Sequence, residues 1–292
     1  MAGNNIYAQG CVAIRGVAGV CGRPANAKGW DMNINNRYFK SYKHFVGTKE
    51  QKERVENGSE VINHSYELDI TATRTFNARW SVGMTLPVMA FGRSSLYEHD
   101  RVNRYSTHSF GIGDIRVSAY RWMFDPVKSH KGNIQLGLGI KLPTGVYNYQ
   151  DYFYKRADSS ILGPVDQSIQ PGDGGTGISV ELNSYYNFNH KLGLYGSFFY
   201  LINPREVNGT STSRGSAPNA TAIKYNTDVM SVPDLFMTRA GASYMTGHLT
   251  FSGGIRVEGL PSTDLIGGSR GFRRPGYIIS GEPSITYMNK KV

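Results

Sequence analysis

About ten times along this chain, apolar and polar residues alternate for roughly ten residues or more. No other feature constrains the fold as strongly. A period of two is the side-chain period of a β-strand, and no stretch shows the 3.6 period of an amphipathic helix. The clearest run sets Ile134, Leu136, Leu138, Ile140 and Leu142 against Asn133, Gln135, Gly137, Gly139 and Lys141. Another sets Leu249, Phe251, Ile255 and Val257 against Thr250, Ser252, Arg256 and Glu258. The longest continuous apolar run, Phe198 to Ile202, is far too short for a spanning helix, which needs about 18 apolar residues or more. A mean hydropathy of −0.38 therefore reads as two interleaved faces, one apolar and one polar.

The connections add a second constraint. After odd-numbered strands the chain makes long polar excursions, near residues 47–60, 92–106, 145–174, 204–229 and 260–275. After even-numbered strands the turns are short, as at Asn77-Ala78-Arg79, Asn189-His190-Lys191 and Thr246-Gly247-His248. Loop length segregated by parity is the habit of an up-and-down outer-membrane barrel, with long loops outside and short turns in the periplasm. A soluble sandwich has no reason to show it. Pro87, Pro143, Pro204 and Pro261 recur where odd strands are expected to leave the sheet, since proline cannot donate to a ladder.

Alternation does not say which face is inside. Three features place the polar face inward. The runs are long, about 10–13 residues, against an average near 5–6 for strands of globular proteins. Aromatic residues gather at strand ends (Tyr38, Tyr42, Trp80, Tyr186, Phe188, Tyr244 and Tyr287), as interfacial girdles do. The polar face is rich in Gly, Ser, Thr and Asn, which suits a hydrogen-bonded or wet lumen. Its charges make the lumen-lining candidates Glu67, Asp69, Asp114, Arg116, Lys141, Glu181, Arg239, Arg256, Glu258 and Glu282. Two readings of them stand: a cross-linked network that fills a narrow lumen, or a solute path whose charges set selectivity.

The formal charge of +10 does not indicate nucleic acid, because Lys and Arg are scattered and mixed with acids. Cys11 and Cys21 lie close enough in sequence to close a small loop by a disulfide in an oxidising compartment; two free thiols are the alternative. Asn5 to Gln9 resembles the tail of a secretory leader, with Ala8 before the cleavage point. Residues 1–28 are expected to form an N-terminal periplasmic segment and 29–292 the barrel. The chain stops at Asn289-Lys290-Lys291-Val292, which reads as a short turn with a further strand beginning. The expectation is thus an all-β, antiparallel, up-and-down transmembrane barrel. About ten strands are present, rising to about twelve if a final hairpin follows, or the ten close by pairing 30–46 with 277–288.

Motifs for chemistry are sparse. The segment Gly172-Asp173-Gly174-Gly175-Thr176-Gly177 lacks the Gly-Lys-Ser/Thr ending of a phosphate loop. The seven His are dispersed, without a zinc-hydrolase helix motif. His64 and His248 sit near strand ends with hydroxyl residues nearby, the weak case for a lipid-modifying barrel enzyme. Asp166 and Asp173 match no calcium spacing and read as part of a solvated loop. No catalytic residue, metal site or cofactor is expected.

The stretch Gly111-Ile-Gly-Asp-Ile-Arg-Val-Ser-Ala-Tyr-Arg-Trp-Met-Phe-Asp-Pro126 is followed by Gly132-Asn-Ile-Gln-Leu-Gly-Leu-Gly-Ile-Lys-Leu-Pro-Thr-Gly145, then by Gly175-Thr-Gly177 and two further strands ending near Asn203-Pro204. This order resembles the family named for the MetA-pathway of phenol degradation, which contains transporter-like β-barrels of Gram-negative outer membranes. The resemblance covers about a third of the chain closely and rests on scaffold motifs. It implies a channel or uptake role for small solutes, hydrophobic or aromatic, with membrane lipid and that solute as partners. The alternatives are a structural or adhesive barrel without transport, and the lipid-modifying enzyme.

Overall fold

The structure, a computed structural model, describes residues 28–129, 131–156 and 158–287. Cys11, Cys21, the N-terminal segment before Lys28 and the final Asn289 to Val292 lie outside the described residues. Ten long strands run in chain order: β1 (Gly29–Ser41), β2 (Ile62–Thr75), β3 (Trp80–Ser95), β4 (Tyr105–Ile112 and Arg116–Trp122) and β5 (Gly132–Lys141). They continue as β6 (Gly177–Asn187), β7 (Leu192–Ile202), β8 (Leu235–Thr246), β9 (Leu249–Leu260) and β10 (Gly276–Gly281 and Ser284–Tyr287). Each pairs antiparallel with its sequence neighbours, so the sheet is one continuous meander.

The sheet is strongly curved into a half-barrel. Across its open side Arg37 of β1 donates to Glu258 Oε1 of β9 at 2.8 Å. Among the described residues no ladder joins β1 to β10, so the expected closure by that pairing is not formed; these two strands are the edges. Every short turn lies at one end of the sheet and every long loop at the other, as the parity of loop lengths requires.

Burial alternates with the sequence. Along β5 the residues Asn133, Gln135, Gly137, Gly139 and Lys141 are buried on the concave face, and the five aliphatic residues between and after them are exposed on the convex one. The arrangement is inside out relative to a soluble domain. Exposed Trp30, Phe76, Trp80, Phe124, Tyr186, Phe188, Tyr244 and Tyr287 ring the short-turn end.

Pro87 departs from the expected strand exit. It lies in the middle of β3, opposite Asp69. Pro87 has no N–H to give to β4, and there the ladder shifts. Val88 faces Ile112 but Thr85 faces Arg116, so β4 carries one extra residue, a β-bulge at Gly113-Asp114-Ile115. Pro143, Pro204 and Pro261 do follow the last residues of their strands closely.

The long loops fold back over one end. Residues 150–156 and 159–164 form a hairpin, and the segment after it, through the 3-10 turn Gln167–Ile169, enters the concave side. Val165 and Ile169 are fully buried there against Met89 and Phe91 of β3.

Candidate functional site

The concave face carries a charged network and an apolar patch side by side, with Glu67, Glu181 and Glu258 across the ladder from Met89, Phe199 and Met237. In the network, charged side chains join one another. Arg256 binds Glu258 at 2.6 Å and Glu282 at 3.4 Å, and Arg37 binds Glu258 from across the opening. Glu181 is completely buried and accepts from Ser118 Oγ and Tyr120 Oη at 3.2 and 3.1 Å, with Arg116 at 3.9 Å. Tyr120 lies in the space left by Gly137, where a Cβ would stand 2.8 Å from its ring. Glu67 and Asp69 are buried opposite Arg37 and Asn35. Arg239 reaches Ser197 Oγ and stands across the ladder from Arg256. These contacts sort eight of the ten candidate residues, with Glu67 and Asp69 buried beside β1. Arg256, Glu258 and Glu282 form one group, Arg116 and Glu181 a second, Asp114 and Lys141 a third, and Arg239 stands apart. Arg37, which the first group requires, was not among them, although it alternates on the polar face of its strand.

At the rim the bulge gives Asp114 its work. Its carboxylate accepts from the backbone N–H groups of Gly145 and Asp173, at 2.9 and 3.1 Å. Thr144 closes the same knot by accepting from Ile115 N and donating to Gly113 O. Gly172 and Gly145 meet backbone to backbone, where a Cβ on Gly172 would lie 2.5 Å from the Gly145 carbonyl. Lys141 reaches Asp114 and Asp173. The Gly-x-Gly-Asp, Leu-Pro-Thr-Gly and Gly-rich sequences are thus one interlocked structure that carries the inserted segment.

The polar-face reading did not include the apolar patch. Met89 and Phe91 on β3, Phe199 and Leu201 on β7, and Leu235 and Met237 on β8 continue the inward parity of Thr85, Ser197 and Arg239. The signal was present: extending each strand's alternation a few residues toward its long loop identifies them. Between this wall and the inserted segment lies a cavity of about 150 Å³. Met89, Phe91, Phe199, Leu201, Met230, Leu235, Leu260, Pro171 and Pro233 form its apolar lining, and Gln167, Ser168, Gln170, Asn208 and Ser231 are among the polar residues that complete it. Arg116, Lys141, Glu67, Asp114 and Asp173 also border it, with Arg116 over the Phe199 ring at 4.9 Å.

Above the cavity an ionic clamp ties the loops together. Asp166 receives two bonds from Arg274, at 2.8 and 2.6 Å, and lies 3.4 Å from Arg93 and 3.7 Å from Arg214. Glu98 takes Arg93 through two nitrogens and Arg214 at 2.8 Å. Burial alone would push the Asp166 carboxyl up; Arg274, and after it Arg93, hold it well below the usual carboxylate range. Asp166 and Asp173 are therefore interior anchors, and the expectation of a solvated loop is corrected. Among the described residues no group of three or more His, Cys, Asp or Glu could hold a metal ion. His64 and His248 stand at opposite ends of the sheet. His64 shares a 2.6 Å hydrogen bond with the Tyr38 hydroxyl, and the His248 ring lies 6.0 Å from that of Tyr287.

No protein-family model matches the chain, so its resemblance to the MetA-pathway family rests on the motifs alone. No curated protein matches it either. Among solved structures it is similar to a Pseudomonas aeruginosa FadL homologue, with a TM-score of 0.41 and 8% identity over 82% of this chain and 59% of that one. It is also similar to the Ralstonia pickettii toluene transporter TbuX, with a TM-score of 0.40 and 11% identity over 79% of this chain and 68% of that one. The chain thus spans less than two thirds of the first of these. Scores of this size leave function to be argued from the chain's own geometry.

Proposed function

We propose that this chain is an outer-membrane β-barrel of a Gram-negative bacterium that takes up small apolar solutes, with single-ring aromatic compounds as the best fit. Two physical arguments support the reading. The first concerns the convex face. Leaving a Leu or Ile side chain in water forgoes about 1.5–3 kcal/mol. The four on β5 and Leu142 just after it are 40–61% exposed and together come to roughly 4–7 kcal/mol, and their neighbours on β6, β9 and β10 extend the same belt. Only an apolar surrounding makes such a surface tolerable. The ten residues of β5, at about 3.4 Å each and a tilt near 40°, project to about 26 Å, the height of an outer-membrane apolar band.

The second argument carries the function: the cavity beneath the inserted segment. Apolar cavities near 150 Å³ stay dry and accept benzene or xenon, and this one has that volume and a patch of Met, Phe, Leu and Pro in a lining that polar residues complete. Of the charges at its border, Arg116 pairs with Glu181 and Lys141 with Asp114 and Asp173, so a neutral solute meets compensated groups there. The solute would enter from the loop side, rest in the cavity and leave when the inserted segment or the charged network yields. Uptake of labelled toluene by intact Gram-negative cells tests this. Expression of the wild-type protein is expected to speed uptake several-fold over cells with empty vector. Leu201→Trp, which fills the cavity, is expected to return it to the vector rate. Equal rates for wild type and vector would refute the proposal.

A further inference from the structure

A second cavity, of about 610 Å³, opens on the loop side, bounded by the end of β1, the 42–61 loop and the ionic clamp. Six cations line it: Lys40, Lys43, Arg54, Arg93, Arg214 and Arg274. The carboxylates lining it are Glu50 and Glu98. With Asp166, which bonds Arg274 from behind, three positive charges remain in excess. The carboxylates are already engaged, Glu50 with Lys43 at 3.3 Å and Glu98 with Arg93 and Arg214. Arg214 Nε is buried with no hydrogen-bond partner among the described residues. Burial, Arg54, Arg274 and Arg93 together push His44, on the same wall, below its ordinary pKa, as a positive local potential requires.

The other wall is aromatic. The Arg54 guanidinium sits 5.9 Å from the Tyr97 ring centroid, and Phe39, Tyr42 and Phe45 continue the surface. Guanidinium groups take a carboxylate through paired N–H donors, and aromatic faces take a flat apolar ring. We infer that this vestibule is a binding site for a small aromatic carboxylate, held by its guanidinium groups at one end and its aromatic wall at the other. It shares Arg274 with the interior cavity but suits a different chemistry, an anion where the interior suits a neutral molecule. A bare phosphate, or the phosphate of a lipid headgroup, would use the cations and leave the aromatic wall idle.

Equilibrium binding to the purified full chain in detergent, measured by titration calorimetry, tests the inference without requiring transport. Benzoate is expected to bind one per chain. Benzyl alcohol, its neutral counterpart, and inorganic phosphate are each expected to bind at least tenfold more weakly. Arg54→Gln and Arg214→Gln are each expected to weaken benzoate at least fivefold. Arg121→Gln, at the far end of the sheet over Trp80, is expected to leave it unchanged. Arg54 lies on a one-turn helix outside the clamp, so its variant keeps the test decisive even if Arg214→Gln loosens the loops. Equal affinity for benzoate and benzyl alcohol would overturn the inference, as would phosphate binding as tightly as benzoate or an Arg54→Gln variant with wild-type affinity.

Discussion

Substituting Asp166 by Asn keeps the side-chain shape and removes its charge, which tests the clamp that seats the inserted segment. In the wild type, Arg93, Arg214 and Arg274 converge on two buried carboxylates, Asp166 and Glu98. With Asn at 166, three guanidinium groups face one carboxylate in a site where Asp166 and Arg93 are almost wholly buried. Breaking a buried pair by removing one partner costs about 3–5 kcal/mol, mainly because the other charge is left uncompensated. At the lower end, with about 1.4 kcal/mol per tenfold, the open population of the segment rises roughly 150-fold. Amide hydrogen exchange reads that population directly. The sensitive amides are Val165, bonded to Tyr149 O, Ile169, bonded to Asp166 O, and Gly172, bonded to Val146 O. Their exchange is expected to accelerate by about two orders of magnitude while β5 amides stay unchanged. An acceleration below threefold would show that apolar packing seats the segment without help from the clamp. The same site sets a pH window. A carboxyl held below its ordinary pKa stabilises the folded state fully above about pH 3.9, and that contribution is lost as pH falls through the depressed value. Protection of these amides in the wild type is therefore expected to persist at pH 5 and to decay only below about pH 4.

Other perturbations probe the convex belt and the charged network. Leu138→Arg places a charge on the exposed convex face of β5 and is expected to cost about 2–4 kcal/mol when the protein refolds into lipid bilayers; urea titration measures it, and no cost would refute the lipid-facing assignment. Gly137→Val drives a side chain into the Tyr120 ring and toward Glu181, with an expected loss of about 1–3 kcal/mol from overpacking in the same titration. Glu258→Gln removes the shared partner of Arg37 and Arg256 and is expected to raise ion conductance in planar bilayers over a low wild-type baseline.

The strands were legible because their signal is local. Period-2 alternation depends only on adjacent residues, and the run Asn133 to Leu142 gives its strand almost to the residue. Loop parity was legible for the same reason. What escaped was set by distant partners. Pro87 looked like an exit because proline cannot donate, but β3 keeps its ladder to β2 and the missing donor is absorbed by a bulge in β4. The apolar patch escaped because strand parity was followed only through the polar stretch; Phe199 and Leu201 sit two and four residues after Ser197 on the same face. Arg37 could not be joined to Glu258 from sequence, since 221 residues and the curvature of the whole sheet separate them. Asp166 was taken as solvated because its loop is long and polar. Its burial depends on arginines from β3 and from two other loops.

The central claim is that the concave side holds a dry cavity made for an apolar solute. Diffraction from crystals of the protein pressurised with xenon, or soaked with iodobenzene, tests it most directly. The account expects one strong site among Met89, Phe91, Phe199 and Leu201, and its loss in Leu201→Trp. Ordered water in that space, hydrogen-bonded to Glu67 and Arg116 with no heavy-atom density beside it, would contradict the account.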